Sequence, residues 1–261
     1  MVAWIVAWLH PPNLLSRNRH ATRSREEITR RAAEVLTGCN AEKLTCYSVS
    51  VDELLDILDE SGRPTGEIIA KDEVHRLGLW HRCFHCWICG SDPEGSYLLL
   101  QRRAATKDTW PGYLDITAAG HLSSGEETLD GLREVEEELG LRVDPKRLVP
   151  LGTRKVEQHI PAGCDREFHD VFLLADDTPP EKLHLQKEEA EAVYRLDLDD
   201  VQTLHDTGSA PAREYARGRT STTRIRPTEF VPQDEDYLIR IAGAARRLLS
   251  GDRPVPLFET S

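Results

Sequence analysis

The densest chemistry in this sequence lies in Arg133-Glu134-Val135-Glu136-Glu137-Glu138-Leu139-Gly140. On a helix each residue advances about 100°. With Glu134 set at the origin, Glu137 falls near about −60° and Glu138 near about +40°, so three carboxylates share one face. Glu136 points away, and Val135 with Leu139 forms a second face suited to a core. Carboxylates three and four residues apart repel by a few tenths of a kcal/mol in water, and by more when partly buried. A divalent cation with hard oxygen ligands, Mg²⁺ or Mn²⁺, relieves that repulsion. A solvated acidic helix face is the bland alternative for the same residues.

Such a helix needs a framework. Glu127–Leu139 reads as one helix, stopped by Gly140 as a left-handed cap. Glu53–Asp59, the turn Asp59-Glu60-Ser61-Gly62 and Thr65–Ala70 read as a hairpin. Arg82–Cys89 and Tyr97–Gln101 read as strands flanking the turn-rich loop Gly90–Gly95. Leu114–Ala118, Leu148–Thr153, Phe168–Leu174 and Ala190–Leu196 read as further strands. Asp197–Leu204 opens with acids and reads as a helix start. Asp206–Pro232, rich in Arg, Thr, Gly and Pro, reads as a linker, and Asp234–Leu249 as an amphipathic helix. The spacing of Cys83, Cys86 and Cys89 invites a zinc site, but strand-forming residues fill the gaps. On a strand Cys86 faces away from the other two. Buried core thiols are the better reading.

Composition bounds the partners. The chain has 261 residues, 39% apolar and 30% charged, which describes a globular protein and not a disordered one. Lys and Arg number 33 against 45 Asp and Glu, so the net charge is −12. That argues against nucleic-acid or anionic-membrane binding, which draws on surplus cations. No apolar run approaches the ~20 residues that span a bilayer. Six cysteines, Cys39, Cys46, Cys83, Cys86, Cys89 and Cys164, are too few and too clustered for a disulfide scaffold, so a reducing compartment is the default. The first 31 residues carry Arg17, Arg19, Arg23, Arg25, Arg30 and Arg31, and no acid before Glu26. That composition suits either an organelle transit peptide or a disordered extension. The expected location is cytoplasmic, with mitochondrion or plastid as the alternative.

With Gly120-His121-Leu122-Ser123-Ser124-Gly125-Glu126 upstream, the acidic segment resembles the Nudix box. Gly120, Glu126, Arg133, Glu134, Val135, Glu137, Glu138, Gly140 and Leu141 fill that pattern. One spacing departs. Six residues, Glu127 to Leu132, separate Glu126 from Arg133 where the family has seven. Either the connection is one residue tighter or Glu127 supplies the carboxylate. The resemblance implies an α/β fold, the Nudix-type αβα sandwich with a mixed sheet and a catalytic loop-helix-loop. It implies a domain over 46–205, between extensions at 1–45 and 206–261. It also implies a hydrolase acting on a small diphosphate with Mg²⁺ or Mn²⁺ held by Glu134, Glu137 and Glu138, and Glu137 as the base. The metals would bridge an anionic substrate to an acidic protein.

A narrower resemblance rests on Leu55–Glu60, Val74–Arg82, Leu99–Ala104 and Lys107–Gly112. These resemble the isopentenyl-diphosphate-isomerase branch of the superfamily, and most of all its hydrolase-type members, including plant proteins acting on isoprenyl diphosphates. Where the isomerases read Trp-Thr-Asn-x-x-Cys-x-His, this chain has Leu114-Asp115-Ile116-Thr117-Ala118-Ala119-Gly120-His121. Ala119 replaces the catalytic cysteine, and a methyl group moves no proton. The branch implies that Arg103 and Lys107 hold the diphosphate and that Trp110 lies beside the substrate. His121, a substrate-side residue here, and His81 fall at isomerase metal-ligand positions. Glu167 falls at a carboxylate that binds metal and moves protons, so it joins Glu137 as a catalytic candidate. The bland readings are strand-edge histidines for His81 and His85, turn chemistry for Trp110-Pro111-Gly112, and a structural role for Arg133. His75 has only a weak claim. Isomerase activity and a non-catalytic ligand-sensing module are the competing functions. Nothing in the sequence sets the oligomeric state.

Overall fold

One long strand, β3 (Trp80–Asp92), organises the sheet. Its residues alternate sides. Phe84, Cys86 and Ile88 enter one buried cluster with Val135 and Leu139, while Trp87 and Cys89 enter another with Tyr237 and Ile241. Helices therefore cover both faces, as the expected sandwich requires. The computed structural model describes residues 53–234 and 236–259. The Arg-rich start and the expected boundary near residue 45 lie outside them.

β1 (Leu54–Leu58) and β2 (Pro64–Ala70) form the expected hairpin. Its turn is closed by Asp59, whose Oδ1 accepts from the backbone N–H groups of Ser61 (2.8 Å) and Arg63 (3.0 Å). A short helix not expected from the sequence, α1 (Lys71–Leu77), follows and buries Val74 and His75. β4 (Gly95–Arg103) pairs with the far half of β3. The run Leu114–Ala118, expected as one strand, is divided. β5 (Leu114–Asp115) pairs with β4, and β6 (Ala118–His121) pairs with β3. Buried Thr117 is the junction: its hydroxyl donates to the Leu99 carbonyl of β4 and accepts from the Ile88 N–H of β3 at 2.9 Å.

The single helix expected over Glu127–Leu139 is also divided. A 3₁₀ segment, Thr128–Leu132, leads into α2 (Arg133–Leu139), which ends at Gly140 in the left-handed conformation, φ 69°. A 3₁₀ turn rises ~2.0 Å per residue against ~1.5 Å for an α-helix. Six residues therefore reach as far as a longer α-helical connection, which accounts for the missing residue between Glu126 and Arg133.

β7 (Val149–Ile160) and β8 (Gly163–Ala175) make a long hairpin, and β8 runs parallel to β3 from Trp80↔Arg166 to Cys89↔Ala175. β9 (Ala190–Asp197) lies on the other side of β4 and leads into α3 (Leu198–Thr207). The segment expected as a linker, 206–232, is instead β10 (Ala210–Ala216) and β11 (Arg219–Ile225), which extend the sheet from β9. Arg217 and Gly218 form their turn, both at positive φ (49° and 71°), which matches strand twist. Arg-Gly is a weaker signal than Asn-Gly, and β11 is a polar edge strand, so the composition disguised the pair. α4 (Tyr237–Leu249) packs on the same core, and Trp87 Nε1 donates to the Tyr237 hydroxyl at 2.9 Å. The resulting order, β11-β10-β9-β4-β3-β1-β2 with β8 parallel to β3, is the expected mixed sheet. Among the described residues no helix is long and apolar enough to cross a membrane.

Candidate functional site

Three consecutive residues of β6 assemble the site. The backbone N–H of Ala119 reaches Glu138 Oε2 at 3.3 Å, and Gln101 Nε2 donates to the same oxygen at 3.3 Å. Gly120 lies against Glu134 so closely that a Cβ there would sit 2.0 Å from Glu134 Oε1. His121 turns the other way, toward a group of histidines and carboxylates. Glycine at 120 is thus required by the approach of a carboxylate.

Arg133 ties the box together. Its Nε and Nη2 grip both oxygens of Glu126 (2.9 and 3.1 Å), and its Nη1 reaches Glu134 (2.5 Å) and Glu137 (3.2 Å). Glu126 also accepts from the Ser123 N–H at 2.8 Å. Glu126 therefore fills the box position itself, and exposed Glu127 instead bonds through its N–H to Asp130. Glu136 lies outside the group, paired with Arg142 at 2.6 Å. Burial drives the Glu134 carboxyl up to about 7 and, with repulsion from Glu134, pushes Glu138 well above the carboxylate range. Arg133 offsets only part of the rise at Glu134, and Glu138 accepts only from neutral donors, Gln101 and the Ala119 N–H.

The second group gathers residues far apart in sequence. His75, His81 and His121 present ring nitrogens within 4.8 Å of one another, and a ring nitrogen of His81 and carboxylate oxygens of Asp165 and Glu167 lie equally close. α1 brings His75, β3 His81, β6 His121, and β8 both acids. The parallel pairing of β3 with β8 sets His81 opposite Glu167. His121 Nε2 lies 3.1 Å from Glu167 Oε1, and His169 Nε2 lies 2.6 Å from Oε2. Burial alone would raise Glu167, but His169, His121 and His81 outweigh it and hold the carboxyl well below its ordinary range. Burial, then the charges of His121 and His81, lowers His75 to about 4. Burial and Glu167 raise Asp165 to about 7. His75 Nε2, His81 Nε2 and Asp165 Oδ1 are buried without a hydrogen-bond partner among the described residues. Convergent unpartnered donors of this kind fit a divalent cation, and the raised Glu134 and Glu138 fit a second, harder one.

Both groups open on one cleft of about 1170 Å³. Glu134, Glu137, Glu167, His121, Arg103, Lys107 and Trp110 all line it. Arg103 is not free: it donates to Asp115 (2.8 Å) and to the carbonyl and hydroxyl of Thr109 (3.1 and 3.3 Å). Lys107 is paired with Glu189. Trp110 sits at φ 51°, strained for a residue with a side chain, and meets Tyr113 edge to face. His81 is fully buried inside the histidine group and not at a strand edge. His85 is buried too, stacked on His169. The three β3 cysteines are buried free thiols, and Cys83 also lines the cleft.

Sequence reasoning missed Asp165, His169 and Glu53, and undervalued His75. The alternation Asp165-x-Glu167-x-His169 was a usable signal, since it puts three polar groups on one face of a strand. Glu53 lies at the edge of the histidine group, 3.8 Å from His121 and paired with Lys71 at 3.0 Å.

The NUDIX domain profile matches residues 79–217. The chain is 37% identical over 155 residues to an uncharacterized Nudix hydrolase of Clostridium acetobutylicum, covering 59% of this chain and 75% of that protein. It is 39% identical over 158 residues to Nudix hydrolase 3 of Arabidopsis thaliana, covering 59% of this chain but only 20% of that longer protein. It is 32% identical over 150 residues to isopentenyl-diphosphate Delta-isomerase 1 of Photorhabdus laumondii, covering 56% of this chain and 80% of that enzyme. A profile match across more than half of the sequence, joined to a box helix that lays its glutamates against β6, places the chain in the Nudix family.

Proposed function

We propose that this protein hydrolyses a small diphosphate ester with Mg²⁺ or Mn²⁺, and that the folded domain runs from β1 through α4. Nudix hydrolases act on diphosphate bonds and generally use such cations. The observation that carries the reading is the convergence of Glu134 and Glu138, both raised by burial, beside a cleft that Glu134 and Glu137 line. Glu134, Glu137 and Glu138 would hold the cation, with Glu53 beside them. A cation bound there neutralises the diphosphate and stabilises charge at the attacked phosphorus.

Glu137 stands at the cleft with its side chain about half exposed, at 52%, so it meets water and accepts its proton. Glu167, its oxygens engaged by imidazoles, serves as a ligand beside His75, His81, His121 and Asp165. Arg133 positions the acids. Arg103 orders the loop through Thr109 and Asp115 and presents its remaining edge to the diphosphate, with Lys107 and Trp110 farther along the rim. Isoprenyl diphosphates are the candidate substrates, on the likeness to the Photorhabdus isomerase.

Isomerisation is the second reading, favoured by the histidine–carboxylate group and opposed by the Ala119 methyl. Phosphate release from a panel of isoprenyl, nucleoside and sugar diphosphates, with Mg²⁺ or Mn²⁺ and products identified by mass, separates the readings. Metal-dependent hydrolysis supports the first. Efficient formation of dimethylallyl diphosphate from isopentenyl diphosphate would overturn it, as would no turnover of any diphosphate.

A further inference from the structure

His85 and His169 lie beside the histidine–carboxylate group and line the same cleft, outside both metal-capable sets. They are 5% and 3% exposed, their rings stack at 3.8 Å with 27° between planes, and each leaves Nδ1 without a hydrogen-bond partner among the described residues. Stacking through ring faces holds His169 in place without using its nitrogens. Its Nε2 then meets Glu167 Oε2 at 2.6 Å, while Oε1 faces His121. An ionised carboxylate only accepts, so Nε2 must carry the hydrogen, and in the neutral imidazole Nδ1 is then bare. One oxygen of Glu167 is thereby occupied by His169 and the other is turned toward His121.

We propose that His169, braced by His85, is a positioning residue that fixes Glu167 so that a single oxygen, Oε1, is offered to the cation site formed with His75, His81, His121 and Asp165. This rests on the reading of Glu167 as a ligand. Hydrogen bonds to a ligand set its direction and commonly change metal affinity 10–100-fold when removed. Neighbouring strands supply the brace: His85 comes from β3 and His169 from β8, whose parallel register pairs Cys83 with His169 and His85 with Val171.

Two measurements test this. In metal-free protein, ¹⁵N spectra of the imidazoles should show His169 as the Nε2–H tautomer. An Nδ1–H tautomer overturns the proposal, whatever the metal does. Zn²⁺, which suits imidazole ligands, is then titrated by competition with a chelating dye. His169→Gln keeps an N–H near the Nε2 position and should bind Zn²⁺ within ~3-fold of wild type. His169→Phe keeps the stack on His85 but donates nothing, and should bind ~10–100-fold more weakly at a similar Tm. Equal affinity of His169→Phe and wild type overturns the proposal. If His169→Phe does not fold, a loss beyond ~10-fold in His169→Gln overturns it. If the wild-type protein binds no Zn²⁺, the ligand reading of Glu167 fails, and the tautomer alone decides how Glu167 is oriented.

Discussion

Gly120 shows how narrowly a single residue can act. Its missing side chain makes room for the end of Glu134, and the atoms a Cβ would strike are the tip of that flexible side chain. Gly120→Ala should therefore fold with a Tm within a few degrees of wild type and lose ~10–100-fold in turnover, because it displaces a carboxylate and not a backbone. Unchanged turnover on the best substrate of the panel would show that Glu134 is not used. On α2, Glu137→Gln should lower turnover on the order of 10²–10⁴-fold, whereas Glu136→Gln, which breaks only an exposed pair with Arg142, should change it little. Equal effects would refute the assignment of faces. At this scale the sequence was legible where helical periodicity did the positioning, as for Glu134, Glu137 and Glu138. For Asp165 and His169 it offered only the strand alternation with Glu167, and for His75 nothing that named its partners. Their partners arrive through β3–β8 pairing and the packing of α1, contacts across tens of residues that no local period encodes.

Elements were legible where their signals were strong and local. The β1–β2 hairpin, Gly140 as a cap and the strands around β3 and β8 follow from turn residues and apolar runs. The extension beyond residue 205 did not, since β10 and β11 carry their polar side chains at a sheet edge. Their structural weight is nonetheless large: Ala210, Ile225, Tyr237 and Ile241 belong to the same core as Leu98 and Leu196. A chain ended at residue 205 should expose that face and unfold or aggregate, while one ended after residue 259 should retain the wild-type Tm; a soluble, cooperatively melting 1–205 chain would contradict this. At the end of β4, Arg103→Lys keeps a charge but loses the fork that ties Asp115 to Thr109. The Michaelis constant for the diphosphate should rise several-fold with turnover less affected, in steady-state kinetics.

For the whole molecule, the balance of buried acids and imidazoles sets a dependence on pH. His75, lowered by burial to about 4, is already neutral above its unfolded value near 6.5 and no longer contributes. Glu134 and Asp165, raised by burial to about 7, still hold protons in the fold at pH 6.5 that the unfolded chain has released. A raised carboxyl stabilises the fold below its unfolded value and loses that contribution as pH rises through its folded one. The metal-free protein should accordingly lose stability from pH 6.5 to 8, by at most ~1.4 kcal/mol per pH unit for each such group. Mg²⁺ or Mn²⁺, binding the ionised forms, should flatten the profile. Denaturant midpoints with and without metal check this; a flat metal-free profile would mean that these acids are ionised throughout.

Ala119 holds Glu138 through its backbone N–H, a group that every amino acid but proline provides. The side chain at position 119 is thereby released from any duty toward the cation site. A thiol or a methyl can occupy it while Glu138 stays where it is, so a proton-moving group could be added there without disturbing that carboxylate. In evolutionary terms, divergence between a proton-moving and a water-using enzyme on this frame would require no intermediate with a broken cation site. Ala119→Cys should accordingly keep both the melting temperature and metal-dependent hydrolysis within a few-fold of the parent.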